Sequence, residues 1–165
     1  VHRLDRPVSG LVVFAKTSKA LTRLNEMFRN GDVHKTYWAI TQQAPEQTEG
    51  RLANWLVRNE KQNKSYIVRP LAAHPELPPV KDAKRAELIY RYISRTERYF
   101  LLEVQLLTGR HHQIRCQLSA IGLPIRGDLT YGAPRSNPDG SICLHARHID
   151  FVLPVSKQHT SITAD

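Results

Sequence analysis

Apolar positions along the chain follow two different periods. Val8 to Ala15 is almost continuously apolar, with β-branched Val12 and Val13 beside Phe14, and this predicts a strand. Gly10 within it predicts a bulge or the close approach of another backbone. Leu21, Leu24, Met27 and Phe28 then recur at helical spacing, behind a cap at Thr17 or Ser18 and ahead of a stop at Asn30-Gly31. Alternation returns from Asp32 to Thr41. Val33, Lys35, Tyr37 and Ala39 share one face of that strand; His34, Thr36, Trp38 and Ile40 share the other.

The region from Arg51 to Lys84 is irregular and basic. It predicts short strands joined by an exposed loop stiffened by Pro75, Pro78 and Pro79. Ala86 to Ser94 and Tyr99 to Leu107, separated by Arg95-Thr96-Glu97-Arg98, form the clearest hairpin. A helix is expected next, with Ile114, Leu118 and Ile121 on one face, Thr108 as its cap and Gly122 as its end. Pro124 to Pro138 reads as loop, and Ile142 to Val152 as a closing, bent strand. Strands in hairpins with two helices predict an α+β fold, with a largely antiparallel or mixed β-sheet and flanking helices.

Charge changes the picture. Lys and Arg total 24 against 15 Asp and Glu, a net charge of +9 spread along the whole chain. Such a surface suits a polyanion, and nucleic acid above all. Two cysteines, Cys116 and Cys143, exclude a disulfide scaffold, and the lack of a paired C-x-x-C argues against a thiolate zinc site. No apolar run approaches the roughly 20 residues of a membrane helix. A monomer in the reducing cytoplasm, with no membrane partner, is expected.

Three segments carry candidate chemistry. Asp5 lies between Arg3 and Arg6, electrostatic company suited to a nucleophile, a base or a surface ion pair. Tyr37 shares a strand face with Lys35 and can stack on a base, move a proton, or serve as a core tyrosine with its hydroxyl at the rim. In Thr108-Gly109-Arg110-His111-His112-Gln113-Ile114-Arg115, a glycine at a strand-to-helix junction frees backbone N–H groups for an anion. Arg110 and Arg115 project apart on a helix, one suited to a phosphate and the other to a carboxylate. No metal is expected. Adjacent His111 and His112 would diverge on a helix, and His145 and His148 would face opposite sides of a strand.

These segments together resemble a known family. His2-Arg3-Leu4-Asp5-Arg6-Pro7-Val8-Ser9-Gly10-Leu11 resembles the catalytic motif of the RluA-type RNA pseudouridine synthases. His34-Lys35-Thr36-Tyr37 is similar to their second motif, and Leu107 to Arg115 to their third, with His111 where Thr is more usual. Gly122-Leu123-Pro124-Ile125, Gly127-Asp128, Tyr131-Gly132 and Leu144-His145-Ala146 follow in the family's order. The chain as a whole, 1–165, is expected to be the catalytic domain lacking the family's N-terminal strands.

The resemblance implies isomerisation of specific uridines in ribosomal or transfer RNA to pseudouridine, without cofactor or metal. It implies Asp5 as the catalytic carboxylate, attacking the anomeric carbon or removing the 2′ proton. It further implies Tyr37 stacked on the uracil and Arg115 paired with Asp5. Arg3 would fill the gap left by the flipped nucleotide or bind its phosphate. Arg6, Lys35, Arg110, His112, Gln113 and Ile114 are the remaining expected RNA or substrate contacts. A non-catalytic RNA-binding module on the same fold is the alternative.

Overall fold

The computed structural model describes residues 2–165. Its strands are β1 (Ser9–Gly10), β2 (His34–Thr41), β3 (Glu49–Asn59), β4 (Lys64–Val68), β5 (Lys84–Arg95), β6 (Phe100–Leu106), β7 (Leu144–Val152) and β8 (His159–Thr163). Two α-helices, α1 (Ser18–Asn30) and α2 (Gln113–Ala120), and a single 3-10 turn at Leu129–Tyr131 complete it. The sheet runs β1-β7-β2-β6-β5-β3-β4, with β8 also on β7. Every pairing is antiparallel except β1 with β7, so the sheet is mixed, as the alternation of hairpins and helices predicts.

Helix α1 forms as expected. Thr17 Oγ1 accepts the Ala20 N–H, and Gly31 adopts φ 77° to close the far end. Its Leu24 packs with Val33, Ile149 and Phe151. Farther along the same face of β2, Tyr37 and Ala39 pack with Ile114 and Leu118 of α2. The alternation of β2 therefore seats both helices on one side of the sheet, with Lys35 and the upper edge of Tyr37 between them.

The predicted strand at Val8–Ala15 is cut short to Ser9–Gly10. Ser9 and Gly10 pair with His145 and Ala146, but from His148 onward that edge of β7 belongs to β8. Deprived of partners, Leu11, Val13 and Ala15 leave the sheet and pack against the α1 cluster. Gly10 marks a close approach of backbone: a Cβ there would lie 2.3 Å from the Ala146 carbonyl oxygen, at φ +116°. β8 itself was not foreseen, for His159-Thr160-Ser161-Ile162-Thr163 holds one large apolar residue and no alternation.

Helix α2 also departs from expectation. His112 takes a left-handed backbone (φ 53°) and the helix begins after it. Thr108 is not its cap. The Thr108 hydroxyl accepts the Glu87 N–H and donates to Gln113 Oε1. Ile121 falls beyond the helix and is exposed. The Arg51–Lys84 region forms one long strand and one short strand in a hairpin rather than several short ones. Its proline-rich loop is exposed and tied down where Trp55 Nε1 donates to the Pro75 carbonyl.

Candidate active site

Four segments converge in the space between the helices. The turn Asp5-Arg6-Pro7-Val8 is closed by the Val8 N–H on the Asp5 carbonyl, and Pro7 is pinned by the Ile142 N–H. This holds Asp5 just ahead of β1. Tyr37 comes from β2, at a bulge where Thr36 pairs with His148 but Tyr37 with Ala146. The extra residue on β7 bends the ladder where the site needs it. Arg115 lies in the first turn of α2. Asp128 and Tyr131 come from the turn between α2 and β7. A cavity of about 550 Å³ is lined by Asp5, Tyr37 and Arg115 together with Leu4, Lys35 and His112.

Arg115 is buried and spends its guanidinium on two carboxylates. Nε and Nη2 donate to Asp128 at 2.8 and 2.9 Å, and Nη1 donates to Asp5 Oδ2 at 3.3 Å. Burial alone would lower its pKa, but the hydrogen bonds and charge of Asp128, and then Asp5, outweigh that and raise it. A permanent cation thus stands behind a carboxylate that faces open space. The Asp5 side chain is 29% exposed and that of Asp128 only 1%, so Asp128 anchors and Asp5 is presented.

Burial, and secondarily the charge of Asp5, push the Tyr37 phenol up to about 12. It is therefore a neutral hydroxyl near pH 7. Lys35 sits over the Phe28 ring at 5.3 Å, and burial lowers its pKa. His2 stacks on the same ring, and its Nε2 accepts the Val13 N–H. Burial, then the charge of Lys35, lower His2 to about 4. The first histidine of the opening motif is therefore a structural latch on the segment that carries Asp5.

Of the expected site residues, Asp5, Tyr37 and Arg115 meet around one cavity, with Arg3 exposed at its mouth. Arg6 lines an adjoining cavity of about 860 Å³, beside Arg58 at the end of β3 and Gln62 and Asn63 of the β3–β4 turn. Arg110 is exposed at the rim, with Nε on the Arg85 carbonyl. Gln113, Ile114 and His112 also line the cavity, but each is engaged inside the protein as well. Gln113 is a strut: its Nε2 donates to the Glu87 carbonyl, and its Oε1 accepts the Thr108 hydroxyl and the Arg110 N–H. Ile114 is a core residue, 5% exposed. His112 has both ring nitrogens engaged inside the protein, on Tyr131 and Arg115. Nor do the paired histidines diverge. The left-handed turn at His112 stacks its ring on His111 at 3.7 Å.

Asp128, Tyr131 and Ser65 received no role from the sequence. The available signal was the run Gly127 to Gly132, which lies where the family's order requires but carries no chemistry in its spacing.

A family model described as RNA pseudouridylate synthase matches residues 1–120. The chain belongs to the RNA pseudouridylate synthase family. Relatives extend that likeness over nearly the full chain. Similarity to tRNA pseudouridine synthase C of Vibrio vulnificus is 33% identity over 174 residues, covering 100% of this chain and 71% of the relative. Similarity to ribosomal large subunit pseudouridine synthase D of Zymomonas mobilis is 30% over 175 residues, covering 100% of this chain and 51% of the relative. Among solved structures, human RNA pseudouridylate synthase domain containing 4 superposes with a TM-score of 0.79 at 26% identity, covering 99% of this chain and 69% of that one. Membership in the RluA-type branch and the mixed α+β fold therefore stand.

Proposed function

We propose that this chain is the catalytic domain of an enzyme that converts uridine in ribosomal or transfer RNA to pseudouridine, with Asp5 as the catalytic carboxylate. The observation that carries this reading is the single carboxylate presented to a nucleotide-sized cavity by a buried guanidinium, with Tyr37 on the wall. A hydrolase that activates water uses a second carboxylate across the site. Here Asp5 is the one carboxylate among the described residues that line the cavity of about 550 Å³: Asp128 is buried behind Arg115, and Asp139 lines only the adjoining cavity.

In the reaction the bond from uracil N1 to the sugar C1′ breaks and one from C5 to C1′ forms. The C5 proton leaves and N1 gains one. Atoms and electrons balance within the nucleotide, so the step needs no redox partner. Asp5 acts on the sugar, as nucleophile at C1′ or as base at C2′. Tyr37 stacks on the uracil and assists departure of the C5 proton. Arg115 keeps the carboxylate oriented, and its fixed charge holds Asp5 without neutralising it. The target base must leave its stack to reach Asp5, at a cost of about a few kcal/mol. Arg3 and Arg6 at the mouth, with the overall charge of +9, offset part of that cost through the phosphates. The free thiols Cys116 and Cys143 suit a reducing compartment, and we place the reaction in the cytoplasm.

The test is tritium release from RNA labelled at uracil C5, with the wild-type protein beside Asp5→Asn. Release by the wild type, lost in Asp5→Asn at equal RNA affinity, is expected. Equal RNA binding with no release by either would make the chain an RNA-binding module; release of free uracil would make it a glycosidase.

A further inference from the structure

We infer that His112 and Tyr131 are positioning residues for Asp5: hydrogen bonds running from the Ser65 amide through the Tyr131 hydroxyl and the His112 ring to Arg115 set the guanidinium that holds the carboxylate. The inference rests on Asp5 being the catalytic carboxylate.

The proton positions follow from what each group can do. A guanidinium only donates. Arg115 Nη1 lies 3.0 Å from His112 Nε2, so Nε2 accepts and carries no proton. The ring proton is therefore on Nδ1, which donates to the Tyr131 oxygen at 2.9 Å. That oxygen also accepts the Ser65 N–H at 2.8 Å, so its accepting capacity is filled from both sides. The ring cannot turn freely: it stacks on His111 and meets the Tyr131 ring edge-on at 80°. The Tyr131 ring in turn lies 5.2 Å from the guanidinium carbon of Arg115. The left-handed backbone at His112 is a strained choice for a large side chain, and it coincides with the residue whose ring must reach back to Arg115.

This geometry requires an uncharged ring. A proton on Nε2 would break the Arg115 bond and face Asp5 Oδ2, 3.7 Å away, competing for the carboxylate that Arg115 orients. Burial is the main influence and disfavours that proton; Asp5 favours it, Arg115 and His111 oppose it, and Asp128 favours it, leaving His112 at about 4. The outer groups are Arg58 and Arg3 facing His111, Lys64 over the Tyr131 ring, and Cys116 beside Tyr131. The 3.7 Å approach of His112 to Asp5 is thus a lone pair near a carboxylate, not an ion pair.

The experiment compares His112→Leu, His112→Gln and Tyr131→Phe in the full protein, by single-turnover tritium release, RNA affinity and ¹⁵N NMR of the histidine ring. Both replacements at 112 carry a side chain on the same left-handed backbone, and only Gln keeps an acceptor near the Nε2 position. His112→Leu should slow release about 10- to 100-fold with RNA affinity unchanged, and His112→Gln should recover most of the rate. Tyr131→Phe removes the acceptor of the Nδ1 proton while Arg115 still keeps Nε2 unprotonated, so the tautomer should persist in the spectrum but release should slow about 10-fold as the ring loosens. Equal rates for Leu and Gln, an unchanged rate in Tyr131→Phe, or a wild-type spectrum with the His112 proton on Nε2 would overturn the inference. Asp5→Asn run in parallel separates the two possible failures. Full activity there overturns the catalytic assignment itself; an inactive Asp5→Asn beside a fully active His112→Leu overturns only the relay.

Discussion

Arg115 is forked onto Asp128 at 2.8 and 2.9 Å, and this leaves only its third nitrogen, at 3.3 Å, for Asp5. The asymmetry has a purpose. On the proposed role, a carboxylate that approaches a sugar cannot also be locked by two short charge-assisted bonds. Asp128 takes those bonds and fixes the guanidinium plane, so Asp5 stays oriented by one longer contact.

Asp128→Ala should therefore be more destructive to folding than to RNA binding. It leaves a buried guanidinium half unpaired, and breaking such a pair costs about 3–5 kcal/mol. Urea denaturation measures the loss. A change under about 1 kcal/mol would mean that the pair is hydrated in solution.

Two glycines with left-handed backbones should respond differently to alanine. At Gly31 nothing lies within 4 Å of an added Cβ, so Gly31→Ala should cost only the conformational penalty of about 1–2 kcal/mol. At Gly10 the added carbon meets the Ala146 backbone, so β1 must part from β7. Gly10→Ala should melt at a lower temperature than Gly31→Ala and should also lose tritium release, because the strand that it displaces adjoins the Asp5 turn. Equal melting temperatures for the two variants would contradict this.

Stability should fall on acidification before any carboxylate need titrate. His112 and His2 sit at about 4 in the folded protein, against 6.5 for an ordinary histidine. Between those values the unfolded chain binds more protons than the folded one. The stabilisation is complete above pH 6.5 and is lost as the pH falls towards 4. The buried His112 adds a slope of at most about 1.4 kcal/mol per pH unit in that window, and the partly exposed His2, screened by solvent, adds less. Unfolding free energies for wild type and His112→Gln, taken from pH 7 to pH 4, should differ in slope by one such contribution.

Tyr37→Phe tests the ring apart from its hydroxyl. The stacking face survives, so RNA affinity should be retained. If the hydroxyl assists departure of the C5 proton, tritium release should slow by about 10²- to 10⁴-fold. With the phenol at about 12, no limb of the wild-type pH–rate profile between pH 6 and 9 should arise from Tyr37.

RNA affinity should also report the basic mouth of the site. Arg3→Gln should weaken binding at low salt and reduce the slope of log affinity against log salt by about 0.7–0.9, one phosphate contact. An unchanged slope would take Arg3 off the phosphate path.

Periodicity was enough to read α1, β2 and the β5–β6 hairpin, because in each the burial pattern and the local cap or turn residues agree. The site was legible in part for a different reason. Asp5, Tyr37 and Arg115 belong to ordered motifs, and motif order stands in for the long-range contacts that spacing cannot supply. What stayed hidden depends on competition between distant segments. Residues 8–15 are apolar enough for a full strand, and nothing local reveals that β8 occupies the edge they would use. Gln113 and Ile114 do line the cavity, but their second, structural roles are not visible in the motif. The Glu87 carbonyl and the Leu118 cluster show that Gln113 is also a strut and Ile114 also part of the core. His112 required knowledge of a left-handed turn that no residue type at that position demands.

The shared edge of β7 has a further consequence. β1 and β8 occupy one row of hydrogen-bonding groups end to end, so lengthening either strand must shorten the other. The seam between them fixes where the leading segment peels away, and so how far the acid at its tip reaches over the groove. Sliding β8 by two residues would move that departure point by a full pleat repeat, and so a distant C-terminal hairpin would retune how far Asp5 reaches over the cavity.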